Sequence, residues 1–526
     1  MIRASFLILL LISCADSQIP PPPVSGSSGK IELSVNLKTE FQEIHSFGAS
    51  DCWTTKFVGE WADINKRNKI ADLLFSEDTM SNGNPEGIAL SLWRFNIGAG
   101  SFEQGVNSNI TDEWRREQCF QNQDLTYDWN KHIGQRWFLD AAKQRGVKYS
   151  LGFSISPPVH MTLNGKAFSD GGTALNIKSE MKDAFADFLV EVSDKMHFDY
   201  LSPVNEPQWN WGASNGYASQ EGSPALNSDV KELAKSLSDK ISAKGISTQI
   251  AVGEAGQLDF LYGRNNDGRG DLVTQFFSPS SVNYIGDLTN VKNVLSAHSY
   301  FTTCPDDNMI SVRESVRSKV TSVNPSLQIW QSEFGILGDI CGKYNGYPRN
   351  TGIDYGLYVA KVLHHDLTIA NVTSWQWWLA MSPYDYSDAL VYINAPDGSI
   401  NPASSKNDGI VKDSKQLWAF GNFSRFVRPG MIRVAATITG KEEAIVAAGS
   451  IMVSAYKDVV SKKIVIVVIN TTNEDANISL KDLEISGDKL DTYTTSSTKS
   501  LTRSTVKTSG IKVEKRAVTT FVGKYK

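Results

Sequence analysis

The chain has 526 residues, 41% hydrophobic and 21% charged, with a formal net charge of -5 and a pI near 5.9. That composition excludes a disordered chain and allows a large core, in roughly three domains or in one long barrel with an appendage. It carries no basic footprint, which argues against nucleic acid as a partner, while 13 Trp suit ligands with flat apolar faces such as sugars.

In chain order, residues 1–13 place Arg3 before an apolar run from Phe6 to Ile12 that is too short to span a membrane, and predict a signal peptide. Ser13 before Cys14 resembles a bacterial lipobox, which implies cleavage there, lipidation of the Cys14 thiol and a lipid anchor in the membrane. Residues 14–30 hold Pro20–Pro23 and then Ser25–Gly29, a stiff and a flexible piece that together predict a tether. The expected location is therefore secreted, as a membrane-anchored lipoprotein of the bacterial cell envelope.

Residues 31–43 predict one strand, in which Ile31, Leu33, Val35 and Leu37 alternate with polar residues. Its expected partners lie in residues 425–526. There Ala444–Ala447, Met452–Tyr456, Lys463–Ile469, Asn477–Leu480, Lys489–Tyr493 and Ala517–Val522 predict an attached β-sandwich that the N-terminal strand joins.

Residues 44–424 alternate strand-like and helix-like runs. Strands are expected near Ile44–Ala49, Ala89–Asn96, Lys148–Ile155, Tyr200–Asn205, Thr248–Gly253, Val294–Tyr300, Leu327–Glu333 and Val372–Leu379. Amphipathic segments such as His132–Arg145, Ser179–Met196 and Asp229–Lys244 separate them. The fold class is α/β, a (β/α)8 TIM barrel.

Active sites of this fold sit at the carboxyl ends of the strands. Glu206 ends the fourth strand and Glu333 the seventh, so both face one mouth. Two carboxyls across such a mouth suit glycoside hydrolysis, in which one protonates the leaving oxygen and the other attacks the anomeric carbon or activates water. Arg94 on the second strand is expected to pair with one of them and hold it ionised.

Asn205-Glu206-Pro207, Ser332-Glu333-Phe334-Gly335, Phe47-Gly48-Ala49-Ser50 and Leu92-Trp93-Arg94-Phe95-Asn96 together resemble glycoside hydrolase family 30. The run Ser91–Gly105, the corner Ser50-Asp51-Cys52-Trp53 and Ser156-Pro157-Pro158-Val159-His160-Met161 are similar to its endo-β-1,6-galactanase-like branch. The resemblance covers nearly all of the chain from about residue 31. It implies Glu206 as general acid/base, Glu333 as nucleophile, Asn205 as the group bonding the sugar 2-hydroxyl, and no cofactor. His160 stands where xylanases and glucosylceramidases of the family tend to carry Trp, which implies a more polar sugar pocket.

His298 and Tyr300, two apart, share one side of the sixth strand and are candidates for the sugar pocket, Tyr300 as a hydrogen-bond donor to Glu333. Trp377 is expected to point inward in preference to Trp378, as the ring on which a sugar stacks. Trp53 and Trp209 are rim candidates for subsites, and Asp51 is either another rim group or a turn cap. Barrel order pairs Cys52 with Cys119 and Cys304 with Cys341, unless all four are buried free thiols. The His residues lack ligand spacing, so no metal is expected. The expected protein is a monomeric, retaining, endo-acting glycosidase of a polysaccharide, β-1,6-galactan side chains of arabinogalactan. The alternatives are the same chemistry on β-1,6-glucan or on another β-glycan such as xylan and, more distantly, a non-catalytic glycan-binding lipoprotein.

Overall fold

A computed structural model describes residues 31–526; the expected signal peptide, Cys14 and the expected tether lie outside the described residues. Eight parallel strands, Ser46–Ser50, Leu92–Ile97, Tyr149–Ser154, Tyr200–Ser202, Gln249–Ala255, Val291–His298, Gln328–Glu333 and Ser374–Ser382, pair each with the next. The eighth pairs back onto the first, Ser374 opposite Ser46, and closes the barrel. Every expected barrel strand is present within a few residues.

Alternation sorts the side chains. Leu92, Leu151, Phe153, Ala251, Val294 and Trp330 fill the barrel interior, while Trp93, Phe95, Leu201, Ile250, Leu295 and Ile329 pack outward against the helices. Strands buried on both faces read as near-continuous apolar runs, which is why they were legible. The surrounding helices include Ile64–Phe75, Ile133–Gln144, Lys182–Met196, Asn227–Lys244, Asp306–Val323 and Ile353–Thr368. Gly245 ends the fourth of these with φ 73°, its N–H bonded to Ile241 O, a stop that favours glycine. Among the described residues no helix is long and apolar enough to cross a membrane.

The second sheet has nine strands and is mostly antiparallel. Its strand Ile31–Glu43 lies between Ile432–Ile438, antiparallel with Leu33 opposite Ile438, and Ala476–Lys481, parallel with Ile31 opposite Ile478. Leu33, Ile466, Ile478, Ile511 and Phe521 share one core, so a single continuous sheet folds over itself into a sandwich. Ala444–Ala447 is not a strand but part of a short helix, Ala444–Ala448. Three of its five residues are Ala, the strongest helix former, and it stops at Gly449.

Cys304 and Cys341 form a disulfide, Cα atoms 6.3 Å apart, that joins the loops after the sixth and seventh strands. The expected Cys52–Cys119 bridge is absent: both thiols are free and buried. Cys52 packs in the barrel interior with Trp53 and Leu92, whereas Cys119 packs in the outer core with Phe120, so neighbouring loops do not bring the sulfurs together.

A buried ion pair braces the sixth strand. Arg313 Nε donates to Asp366 Oδ1 at 2.7 Å, and Asp366 Oδ2 accepts from Trp375 Nε1 at 2.8 Å and from Ser299 Oγ at 3.1 Å. Ser299 lies between His298 and Tyr300, so this pair fixes the turn that aims both. Removing one partner strands a buried charge. Asp366→Ala is expected to cost about 3–5 kcal/mol of unfolding free energy in a urea titration, and a loss below about 0.5 kcal/mol would show the pair to be dispensable.

Candidate active site

Arg94 points into the barrel from the second strand and is fully buried. Its Nη1 donates to Glu333 Oε2 at 2.7 Å, and its Nη2 donates to Glu254 Oε2 at 2.7 Å and Asn205 Oδ1 at 3.0 Å. Phe153 supports the guanidinium from below, with its ring centroid 3.6 Å from Cζ. His298 sits across from it. Its Nδ1 is 2.9 Å from Glu206 Oε1 and 3.6 Å from Glu333 Oε1, and its Nε2 is 3.0 Å from Glu254 Oε2. Tyr300 Oη donates to Glu333 Oε1 at 3.1 Å, and Ser332 Oγ donates to Glu254 Oε2 at 3.0 Å.

Two local backbone turns aim these carboxylates. Glu206 has φ 45°, a left-handed conformation that costs a non-glycine residue roughly 1–3 kcal/mol. It is held there by its N–H on Glu254 O at 2.8 Å and by Trp211 Nε1 on its own carbonyl at 3.0 Å. On the fifth strand, pairing with the sixth slips between Val252 and Ala255, and Gly253 with φ 117° followed by Glu254 with φ 43° turns the Glu254 side chain inward. A Cβ at Gly253 would meet Ser296 O at 2.3 Å, so only glycine fits.

The electrostatics follow from burial and contact. Burial would raise the Glu254 pKa, but the Arg94 charge and the hydrogen bonds from His298 and Ser332 hold it at about 2. Burial would lower His298, but the charge of Glu333 and the bonds to Glu206 and Glu254 lift it to about 10, so it is an imidazolium with both N–H groups donating. Glu333 is raised by burial, against the pull of His298 and Arg94 and with a further push from Glu206. Burial and the charges of Glu333 and Glu206 keep the Tyr300 phenol protonated. Donor atoms of Glu206, His298 and Glu333 lie within 4.8 Å of one another. They do not fit a metal ion, because both His298 nitrogens carry protons committed to carboxylates and Arg94 already meets Glu333.

Glu206, Glu333, Arg94, Asn205, His298 and Tyr300 thus converge, but Arg94 and His298 are sealed at 0% exposure and act on the carboxylates rather than on a sugar. Trp377 is also sealed. It faces outward on the same side as Trp375, with Nε1 donating to Asp388 O at 2.8 Å, and the inward ring is Trp378, edge-on to Trp53 at 5.2 Å. Asp51 is a buried brace and not a rim group: its carboxylate accepts from Asn96 N at 2.9 Å and Gln135 Nε2 at 3.2 Å, and burial pushes its pKa up to about 7. Trp53 is 5% exposed, in the aromatic corner with Trp378. Trp209 is half-buried, edge-on to Phe260 and to the exposed Phe301. His160 is half-buried with Nε2 3.1 Å from Gln121 Oε1, outside the carboxylate network. Sequence reasoning missed Glu254. It stands one residue beyond the expected fifth strand, a strand-end position like those of Glu206 and Glu333, but only the left-handed turn at Gly253 and Glu254 aims it inward.

The two large shifts set a pH window. His298 rises from 6.5 to about 10 on folding, so its contribution to stability is whole below pH 6.5 and is lost as pH rises through 10. Glu254 falls from 4.5 to about 2, so its contribution is present above pH 4.5 and is lost as pH falls through 2. The unfolding free energy is expected to decline between pH 7 and 10, with a shallower slope in His298→Gln. Equal slopes in the two proteins would contradict an imidazolium at this position.

A family model described as "O-Glycosyl hydrolase family 30" matches residues 30–392. An endo-beta-1,6-galactanase of Hypocrea rufa is 22% identical over 419 residues, 76% of this chain and 75% of that protein. Among solved structures, a conserved exported protein from Bacteroides fragilis matches with a TM-score of 0.87 and 33% identity, over 93% of this chain and 100% of that one. The catalytic domain of xylanase C from Talaromyces cellulolyticus matches in fold, with a TM-score of 0.65 and 22% identity over 94% of this chain and 99% of that one. The barrel and the carboxylates at its mouth lie within the matched region, and on that match the chain belongs to O-glycosyl hydrolase family 30 and is a glycoside hydrolase.

Proposed function

We propose that this glycosidase cleaves β-1,6-linked galactan internally, with retention at the anomeric carbon. The observation that carries the mechanism is the short reach between the two glutamates, whose nearest oxygens lie within 4.8 Å. Retaining pairs stand about 5–5.5 Å apart, whereas inverting pairs stand about 6.5–9.5 Å apart to admit a water. Glu333 is the nucleophile. Arg94 and Tyr300 donate to its two oxygens and orient it toward the anomeric carbon. Glu206 is the acid/base: it gives its proton to the departing oxygen, and His298 then donates to the carboxylate that remains. Glu206 takes a proton from water in the second step, and the hydroxide so formed releases the sugar from Glu333.

The substrate class rests on likeness to the Hypocrea rufa endo-beta-1,6-galactanase over three quarters of both chains. Asn205, 2% exposed beside the pair, is the group for the sugar 2-hydroxyl, and Trp378 with Trp53 supplies the aromatic corner. The same reading has the protein exported and anchored through Cys14, consistent with the Cys304–Cys341 disulfide of an oxidising compartment.

Wild type is expected to release short oligosaccharides from linear β-1,6-galactan, with the β-anomer appearing first by NMR. Glu333→Gln should lose at least about a thousandfold in kcat/KM. Glu206→Gln should lose as much on galactan but far less on an aryl galactoside, whose leaving group needs no proton. Release from β-1,6-glucan alone would overturn the substrate, and first appearance of the α-anomer would overturn the mechanism.

A further inference from the structure

A cleft with a mostly apolar lining and a few charged and polar groups lies at the end of the barrel remote from the glutamates. It measures about 360 Å³ and opens between the C-terminal sheet and the last turns of helix Ile353–Thr368. That helix follows the seventh strand and runs back from the mouth, so its end lies at the strand starts. The cleft is lined by Phe41, His364, Arg433, Lys441, Glu442 and Ser454, among others.

Arg433 is the unusual member. It is 6% exposed, yet its hydrogen bonds go to neutral oxygens, Nε to Gln42 Oε1 at 2.8 Å and Nη2 to Asn371 Oδ1 at 2.7 Å. The Phe41 ring covers its guanidinium at 3.8 Å. Among the described residues no carboxylate pairs with it; burial and the nearby Arg317 lower its pKa to about 10. A buried cation without a counter-charge is desolvated at a cost that bonds to neutral oxygens and one aromatic face offset only in part. His364, its ring kept neutral by burial, His365 and Arg433, lines the cleft beside it, and the buried Ser454 hydroxyl lies within reach of Tyr456. Half-exposed Lys441 adds a second cation at the rim, while the exposed Glu442 turns its Oε1 to Gly440 N at 2.9 Å.

We propose that this cleft binds a hexuronate unit, with its carboxylate on Arg433 and a hydroxyl on His364. Charge selects the carboxylate, since Gln42 and Asn371 take Nε and one hydrogen of Nη2 and leave the Nη1 edge of the guanidinium to meet it. Size selects the sugar. The cleft lies within the roughly 300–1,000 Å³ of small-molecule sites and far exceeds the ~30 Å³ share of one water, more than a bare anion needs. No glutamate pair faces it, so it holds a glycan without cleaving it.

Calorimetric titration of the whole protein at constant ionic strength tests this, with sodium glucuronate, sodium acetate and galactose as separate arms. Glucuronate is expected to bind one site at least about tenfold tighter than acetate, and to lose at least about tenfold in Arg433→Gln. His364→Phe, which removes the ring nitrogens and keeps the guanidinium, should lose as much. Galactose heats should not differ between wild type and either variant. Glu333→Gln should bind glucuronate like wild type, which separates this cleft from the mouth. No glucuronate binding, equal binding in Arg433→Gln and His364→Phe, or loss in Glu333→Gln would each overturn the proposal. Acetate as tight as glucuronate would overturn the sugar and leave a site for charge alone.

Discussion

One guanidinium organises the mouth of this barrel. Arg94 cannot give up its charge, and it is sealed from water, so its neighbours must supply the compensation. Strands four, five and seven each deliver an oxygen to it, from Asn205, Glu254 and Glu333. The charge count then has a chemical result. Two cations, Arg94 and His298, face three carboxyl groups, Glu206, Glu254 and Glu333. Glu254 is ionised throughout the useful pH range, so one positive charge remains for the pair Glu206 and Glu333 to balance. Two carboxylates this close do not both ionise readily. Burial and the Glu206 charge accordingly push the Glu333 pKa up, against the pull of His298 and Arg94.

This arrangement depends on support from outside the mouth. Ser299 is bonded to Asp366, and Asp366 is clamped by Arg313 and Trp375, so the turn between His298 and Tyr300 is fixed from the helix side. The Cys304–Cys341 bridge joins the loops that follow the strands carrying His298 and Glu333. Both constraints act on the sixth and seventh strands, whose side chains hold the carboxylates.

The barrel was legible because its strands are buried on both faces and so read as short apolar runs, and because the strand-end rule then selected Glu206 and Glu333. What escaped the reading depends on geometry that no periodicity carries. Glu254 is turned inward by left-handed backbone at Gly253 and Glu254, which alternation does not anticipate. Trp377 and Trp378 differ only in which face of the strand they take, and that face is set by the pairing of the eighth strand with the first. Asp51 has the composition of a rim group, but its oxygens are taken by Asn96 and Gln135. Cys52 and Cys119 share neighbouring loops and still point into different apolar nests. In the Ala444–Ala448 helix, local alanine propensity outweighed the strand pattern on either side.

The strand Ile31–Glu43 has a consequence for how the chain acquires its shape. It is flanked on both sides by strands from the far end of the sequence, with Leu33 opposite Ile438 and Ile31 opposite Ile478. The earliest described segment to be synthesised thus waits, with both edges unpaired, until the barrel and most of the final sheet have emerged. Contacts of such sequence separation close slowly. An unpaired strand is also a template for pairing with other chains. The two ends form one cooperative unit wrapped around the middle, and a cut at any single point between barrel and sandwich would leave one of the fragments without an essential strand.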